Sequence, residues 1–205
     1  RSVSVFFYRE WMPDLAWLRI TEVVVVVEAP LTESEIRGAL PRLEGQNLLV
    51  LDGDDLMKRI LQNPWVLAAS VKKEFPNRIV LSAQVKKPVA TRRDSKKLIY
   101  LDENGSEIDR WVATRGVDVD LPVISFDAKD TAALWSSKTL VGIVLSLQKA
   151  IAPKHRISEI VASDPPFFKV YLVSPPMESL FSLMTWESQI PFFVDLLNRP
   201  PRQIS

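Results

Sequence analysis

The sequence predicts an α+β protein: a β-α-α-β-β unit followed by a mixed or antiparallel β domain with flanking helices. Three observations carry this. The stretch Pro64 to Ala90 reads as a β-hairpin, because Ile79, Leu81, Ala83 and Val85 alternate with Arg78, Val80, Ser82, Gln84 and Lys86, the period of two of a strand with one buried face. Ahead of it, a valine-rich strand and two helix starts follow one another within about forty residues. After Pro88 that order does not recur. An Asn-Gly hairpin, one long apolar helix and three strands separated by double prolines take its place.

The elements follow in chain order. Residues Arg1 to Leu18 are rich in aromatics, with Phe6, Phe7, Tyr8, Trp11 and Trp17 among Arg9, Glu10 and Asp14. This segment reads either as packed on the first domain or as a membrane-proximal anchor, since Trp and Tyr favour the lipid–water boundary; packing is the reading preferred. Arg19 to Glu28 holds five consecutive valines, Val23 to Val27. β-branched side chains favour strands, and the unbroken run points to burial on much of both faces. Thr32-Glu33-Ser34-Glu35 is a capping box, with Leu31 and Ile36 as its hydrophobic staple, and the helix fails near Pro41. Gly45-Gln46-Asn47 makes a turn before the short apolar run Leu48 to Leu51. Asp52 then caps a second helix, with Asp54 and Asp55 at its positive end and Leu56, Met57, Ile60 and Leu61 as its apolar face. Asn63-Pro64 stops it. In the first hairpin arm Leu67, Ala69, Val71 and Phe75 form the inward set. Phe75-Pro76-Asn77-Arg78 is the turn, with Pro at its second position.

Beyond Pro88, Leu98 to Leu101 and Ser106 to Arg110 flank Asp102-Glu103-Asn104-Gly105, a hairpin signal. A loop runs through Gly116, Asp118 and Asp120, and Leu121 to Ile124 opens another strand. Thr131 to Ile151 reads as one long helix with Leu134, Val141, Val144, Leu145, Gln148 and Ile151 on one face. Strands at Ile157–Ala162, Phe167–Val173 and Glu178–Trp186 come next, separated by Asp164-Pro165-Pro166 and Ser174-Pro175-Pro176. A last helix covers about Pro191 to Asn198. The domain boundaries are therefore 1–18, 19–87 and 88–205.

Composition excludes several classes of chemistry. The chain has no cysteine, so disulfides, thiolate catalysis and Cys-ligated metals are out. The formal charge of +1 favours no partner class. No apolar run is long enough to span a membrane, and because the chain opens at Arg1 rather than Met it reads as a fragment. The only histidine, His155, stands in the basic turn Pro153-Lys154-His155-Arg156, where a solvated role outweighs a catalytic one. No phosphate-binding, dinucleotide, nucleophile-elbow or zinc-protease motif is present. Asp52-Gly53-Asp54-Asp55 lacks the spacing of a calcium loop, and helix capping accounts for it. The expectation is a protein without catalysis, cofactor or metal. The basic residues around the hairpin, Lys72 and Lys73 first among them, are either a solvated sheet edge or a contact for lipid headgroups or an acidic partner.

The β-α-α-β-β unit resembles a POTRA domain, and the details resemble the FtsQ/DivIB family of bacterial cell-division proteins. The residues that carry the resemblance are the helix Asp52–Asn63, Pro64-Trp65-Val66, the basic pair Lys72-Lys73, the turn Phe75-Pro76, the strand Ile79–Val85 and Lys87-Pro88-Val89-Ala90. Leu101-Asp102-Glu103-Asn104-Gly105 and Leu121-Pro122-Val123 continue the family's order across about 19–200. The chain departs from it at Glu28-Ala29-Pro30, at Lys86-Lys87 and at Ile124-Ser125-Phe126.

The resemblance implies a non-catalytic scaffold outside the cytoplasmic membrane, anchored by an N-terminal helix that this sequence does not include. It implies partners of the FtsB and FtsL type, whose strand adds to the edge of the second domain; β-augmentation draws affinity from unpaired edge amides and specificity from alternate side chains. The residues expected at that edge are Leu180, Ser182 and Met184 of the Glu178–Trp186 strand. With them go Arg202, Gln203, Ile204 and Ser205 at the start of a further strand, and Lys72 and Lys73 on the first domain. The alternative is a POTRA module of outer-membrane assembly or secretion that binds client strands; residues 88–205 do not repeat the β-α-α-β-β order, which counts against it.

Overall fold

A computed structural model describes residues 16–95, 97–110, 120–128 and 130–199. The chain divides into two compact units, one running to Lys86 and one starting at Lys87.

In the first unit β1 (Glu22–Val27), α1 (Glu33–Gly38), α2 (Gly53–Leu61), β2 (Val66–Glu74) and β3 (Arg78–Val85) follow in that order. The three strands form one sheet in the order β1-β3-β2, with β1 parallel and β2 antiparallel to β3. Both helix starts have the chemistry the sequence announces. The Glu35 amide donates to Thr32 Oγ1 and the Thr32 amide to Glu35 Oε2, a complete capping box. Asp52 Oδ1 accepts from the amides of Asp54 and Asp55 at 2.9 and 3.2 Å. Each cap contributes about 1 kcal/mol. Leu31, Ile36, Leu56, Ile60, Trp65 and Leu81 are among the residues of the unit's core.

Four expectations for this unit need correction. β1 is not enclosed on both faces: it is an edge strand, Val25 is buried and Val26 is 53% exposed. A run of valines favours a strand whichever place it takes in a sheet, so it does not reveal that place. In β2 the register slips between Val66 and Ala68, which face Val85 and Gln84. The extra residue of this bulge, Leu67, turns outward, and the inward set becomes Ala69, Val71 and Lys73 opposite Ala83, Leu81 and Ile79. Phe75 lies in the connection beyond the last pair, Glu74 with Arg78, and is exposed, as is Leu61 at the end of α2.

The second unit holds β4 (Ala90–Asp94), β5 (Lys97–Leu101), β6 (Glu107–Arg110), β7 (Val123–Phe126), a 3-10 turn at Asp130–Ala133, α3 (Ser137–Ile151), β8 (Ile157–Ala162), β9 (Phe167–Leu172), β10 (Met177–Ser182) and α4 (Trp186–Asn198). Its seven strands are ordered β10-β9-β8-β7-β4-β5-β6. β4, β7 and β8 are mutually parallel neighbours; every other pair is antiparallel. The β7-α3-β8 passage is the crossover that a parallel pair requires. Leu140, Val141, Ile143, Val144, Leu147 and Ile151 of α3 pack on Ile124, Ile160, Phe168 and Val170 of the sheet. An aromatic chain extends that core to α4: Phe168 stacks on Phe181 at 5.5 Å, and Phe181 meets Phe193 edge-on at 5.2 Å.

The second unit also departs from the sequence expectation. β4 was not anticipated. The helix expected from Thr131 begins at Ser137; before it, Thr131 Oγ1 donates to Asp127 and the buried Trp135 indole to the Ser163 carbonyl, so tertiary contacts hold this stretch in another shape. The buried face of α3 accordingly differs, with Leu140, Ile143 and Leu147 in place of Leu134 and Leu145, which are exposed. The strand expected to reach Trp186 ends at Ser182, and the last helix starts at Trp186, with Pro191 inside it. The loop expected through Gly116 and Asp118 lies outside the described residues.

Candidate functional site: the free edge of the larger sheet

β10 ends the larger sheet, and no described strand pairs with its far side. β9 holds it in antiparallel register, from Met177 opposite Leu172 to Ser182 opposite Phe167. Alternation assigns its side chains. Phe181 faces the core, packed between Phe168 and Phe193. Glu178, Leu180 and Ser182 face the other way, and Leu180 is 61% exposed. Phe167 of β9 is exposed on that same outer face. The Glu178 carboxylate accepts from Lys169 Nζ at 2.8 Å. That hydrogen bond from Lys169 is the main reason the carboxyl is held below its ordinary value, and the same bond raises the Lys169 ammonium.

The residues singled out from the sequence fall in different places. Leu180 and Ser182 share the outer face of β10. Met184 belongs to the turn after the strand, where it is 86% exposed, so the expectation of three residues in a row on one strand holds for two of them. Arg202, Gln203, Ile204 and Ser205 lie outside the described residues. Lys72 and Lys73 are neighbours in β2 and point to opposite faces. Lys72 is exposed and pairs with Glu74 at 2.8 Å, the bond that lowers the Glu74 carboxyl. Lys73 turns inward, where its ammonium donates to the Leu51 carbonyl at 2.5 Å, so only Lys72 projects from the surface. The missed signal was Phe167: it follows a double proline, and only the pairing of β9 with β10 places it beside the exposed edge.

Two features need no functional role. The His155 Nδ1–H donates to the Ser174 carbonyl at 2.8 Å, tying two loops together. Among the described residues no three His, Cys, Asp or Glu side chains converge to hold a metal ion, and no helix is long and apolar enough to cross a membrane.

The comparisons with known proteins bear on both units. A family model described as POTRA domain, FtsQ-type, matches residues 18–84. A cell division protein FtsQ of Bradyrhizobium diazoefficiens is 29% identical over 126 residues, 61% of this chain and 36% of that protein. One of Anaeromyxobacter is 30% identical over 115 residues, 56% of this chain and 37% of its own length. The chain thus spans little more than a third of these curated relatives. The major extracytoplasmic domain of the cell-division protein DivIB from Geobacillus stearothermophilus superposes with a TM-score of 0.35 at 17% identity, over 60% of this chain and 99% of that domain. Residues 18–84 match an FtsQ-type POTRA domain, and the chain is similar to FtsQ cell-division proteins over a little more than half of its length.

Proposed function

We propose that this chain is a non-catalytic scaffold of the division machinery, held outside the cytoplasmic membrane by an anchor ahead of Arg1, and that it recruits other division proteins through the free edge of β10. The single observation that supports the reading is that edge: six residues of antiparallel strand with no described strand on their far side, an exposed Leu180 on the same face as Phe167, and a strand held firmly in place by Phe181 beneath it. An incoming strand gains main-chain hydrogen bonds there and an apolar contact at alternate residues. The partner expected from the family is the extracytoplasmic end of an FtsB- or FtsL-type coiled-coil protein. Arg202 to Ser205 belong to the same proposal, as residues that extend the contact, and Lys72 offers a separate cationic contact on the POTRA unit.

The test is hydrogen exchange of this chain with and without the extracytoplasmic segment of the FtsB-type protein from the same genome. Protection should appear in β10 and not in β6, the opposite edge. Leu180→Asp, a substitution at an exposed position, should weaken binding about tenfold, close to 1.4 kcal/mol. Binding that protects other segments and ignores Leu180→Asp would overturn the proposal.

A further inference from the structure

The strand order of the larger sheet reverses between β4 and β7. From β4 the chain turns to β5 on one side, and from β7 it crosses over α3 to β8 on the other. The two chains leave their carboxyl ends in opposite directions, which opens a crevice; in sheets with parallel neighbours ligands bind at such a switch point. A cleft of about 800 Å³ lies there, within the size range of ligand sites, about 300–1,000 Å³. Its walls come from the end of β4 (Arg92 to Ser95), the end of β7 (Ser125 to Ala128), the 3-10 turn and the start of α3.

The walls differ in chemistry. One is apolar: Phe126 and Trp135, with Ala132 and Ala133 leaving room before them. The other carries both signs of charge. Arg92 and Arg93 are successive strand residues and depart to opposite faces, yet both border the cleft at the end of the sheet. Their carboxylate partners stand outside it. Arg92 pairs with Glu107 and reaches Ser137 Oγ at 3.2 Å; Arg93 Nη1 donates to Glu159 at 3.1 Å, with its side chain half exposed. Glu159 is further fixed by the Ser125 hydroxyl at 2.6 Å. The guanidinium of Arg93 is therefore oriented by a braced partner while the rest of its five N–H groups remain for another acceptor. Asp94 and Asp127 supply acceptors on the same wall.

We infer that this cleft is a second docking site, distinct from the β10 edge, for a peptide segment that carries an acidic side chain next to a large apolar one. The carboxylate is taken by Arg93, backbone N–H groups by Asp94 and Asp127, and the apolar side chain by the space before Ala132 and Ala133. β7 is three strands from β10, roughly 14 Å at the usual strand spacing, so occupation of one site leaves the other open.

The experiment uses the whole 205-residue chain, labelled with 15N, and two blocked tripeptides, acetyl-Leu-Glu-Leu-amide and acetyl-Leu-Lys-Leu-amide. The acidic peptide should shift the amides of Ser95, Asp127, Ala132 and Ala133 with a Kd of about 1 mM, and the lysine peptide should bind at least about fivefold more weakly. Arg93→Gln should weaken the acidic peptide to a similar extent, and Ala132→Trp, a bulky side chain at an exposed position, should abolish the shifts. Both variants spare the core, so an unchanged spectrum outside the cleft verifies the fold. No shift up to about 10 mM, equal binding of both peptides, or shifts that survive both variants would overturn the inference. None of these outcomes depends on the β10 edge.

Discussion

Gly105 offers the sharpest test of how the larger unit is assembled. It lies in the β5–β6 turn at φ +74, and a Cβ built on it would stand 2.5 Å from the Lys138 amide nitrogen and 2.6 Å from the Ser137 carbonyl carbon. The turn thus rests directly on the first residues of α3, backbone against backbone, and neither side can yield as a flexible side chain would. For Gly105→Ala the left-handed conformation costs about 1–2 kcal/mol, and the overpacking about 1–3 kcal/mol more. The lower entropy of the unfolded alanine chain returns roughly 0.5–1 kcal/mol. A net loss of about 1–4.5 kcal/mol is expected, a large part of the roughly 5–15 kcal/mol that holds a domain together. Gly142 is the internal control. It lies on the exposed side of α3, and nothing stands within 4 Å of its Cβ position. Gly142→Ala should stabilise the same helix by about 0.8–1 kcal/mol. Gly45 separates the two costs: at φ +84 with open space around it, Gly45→Ala should lose only the conformational part, about 1–2 kcal/mol, less the same roughly 0.5–1 kcal/mol returned by the unfolded chain. Native-state hydrogen exchange read by mass spectrometry reports each unit through its own peptides, α3 and β8 for one and β2 and β3 for the other. Exchange of α3 that is unchanged in Gly105→Ala, or a shift of the same sign in Gly105→Ala and Gly142→Ala, would refute the packing described.

Two further outcomes follow from single contacts. Gln148, a polar residue on α3, donates through Nε2 to the His155 carbonyl and accepts through Oε1 from the Ile157 amide, so it starts β8. Gln148→Leu should cost about 1–3 kcal/mol in thermal melting at neutral pH by leaving those two groups unsatisfied. The Lys169–Glu178 pair adds stability between two limits. The Glu178 contribution is present above the carboxyl's ordinary value of 4.5 and is lost as pH falls through its lowered value in the fold. The Lys169 contribution is present below 10.5 and is lost as pH rises through its raised value. The stability difference between wild type and Glu178→Gln, followed by urea denaturation, should stay level from about pH 6 to 9 and vanish in acid; a difference that persists at low pH would remove the ion pair as its cause.

Short-range chemistry was legible in the sequence. Thr32 with Glu35, Asp52 with its two following amides, the Asn104-Gly105 turn and the alternation in β3 each depend on residues within a few positions of one another. Each therefore formed as its local pattern announced. The resemblance, carried by Pro64-Trp65-Val66 and the hairpin after it, gave the POTRA assignment for the same reason: motif order survives in the chain itself. Strand partners, by contrast, depend on residues far apart. That β1 lies at an edge, that a bulge sends Leu67 outward, that the helix waits until Ser137 because Trp135 bonds to Ser163, and that Met184 falls past the end of β10 were each decided by the tertiary structure. The same is true of the site. Periodicity makes Leu180 an outward residue, but only the place of β10 at the end of the described strands makes it an edge residue. The cleft between β4 and β7 has no sequence signal at all, because it arises from the direction in which two chains leave a shared sheet.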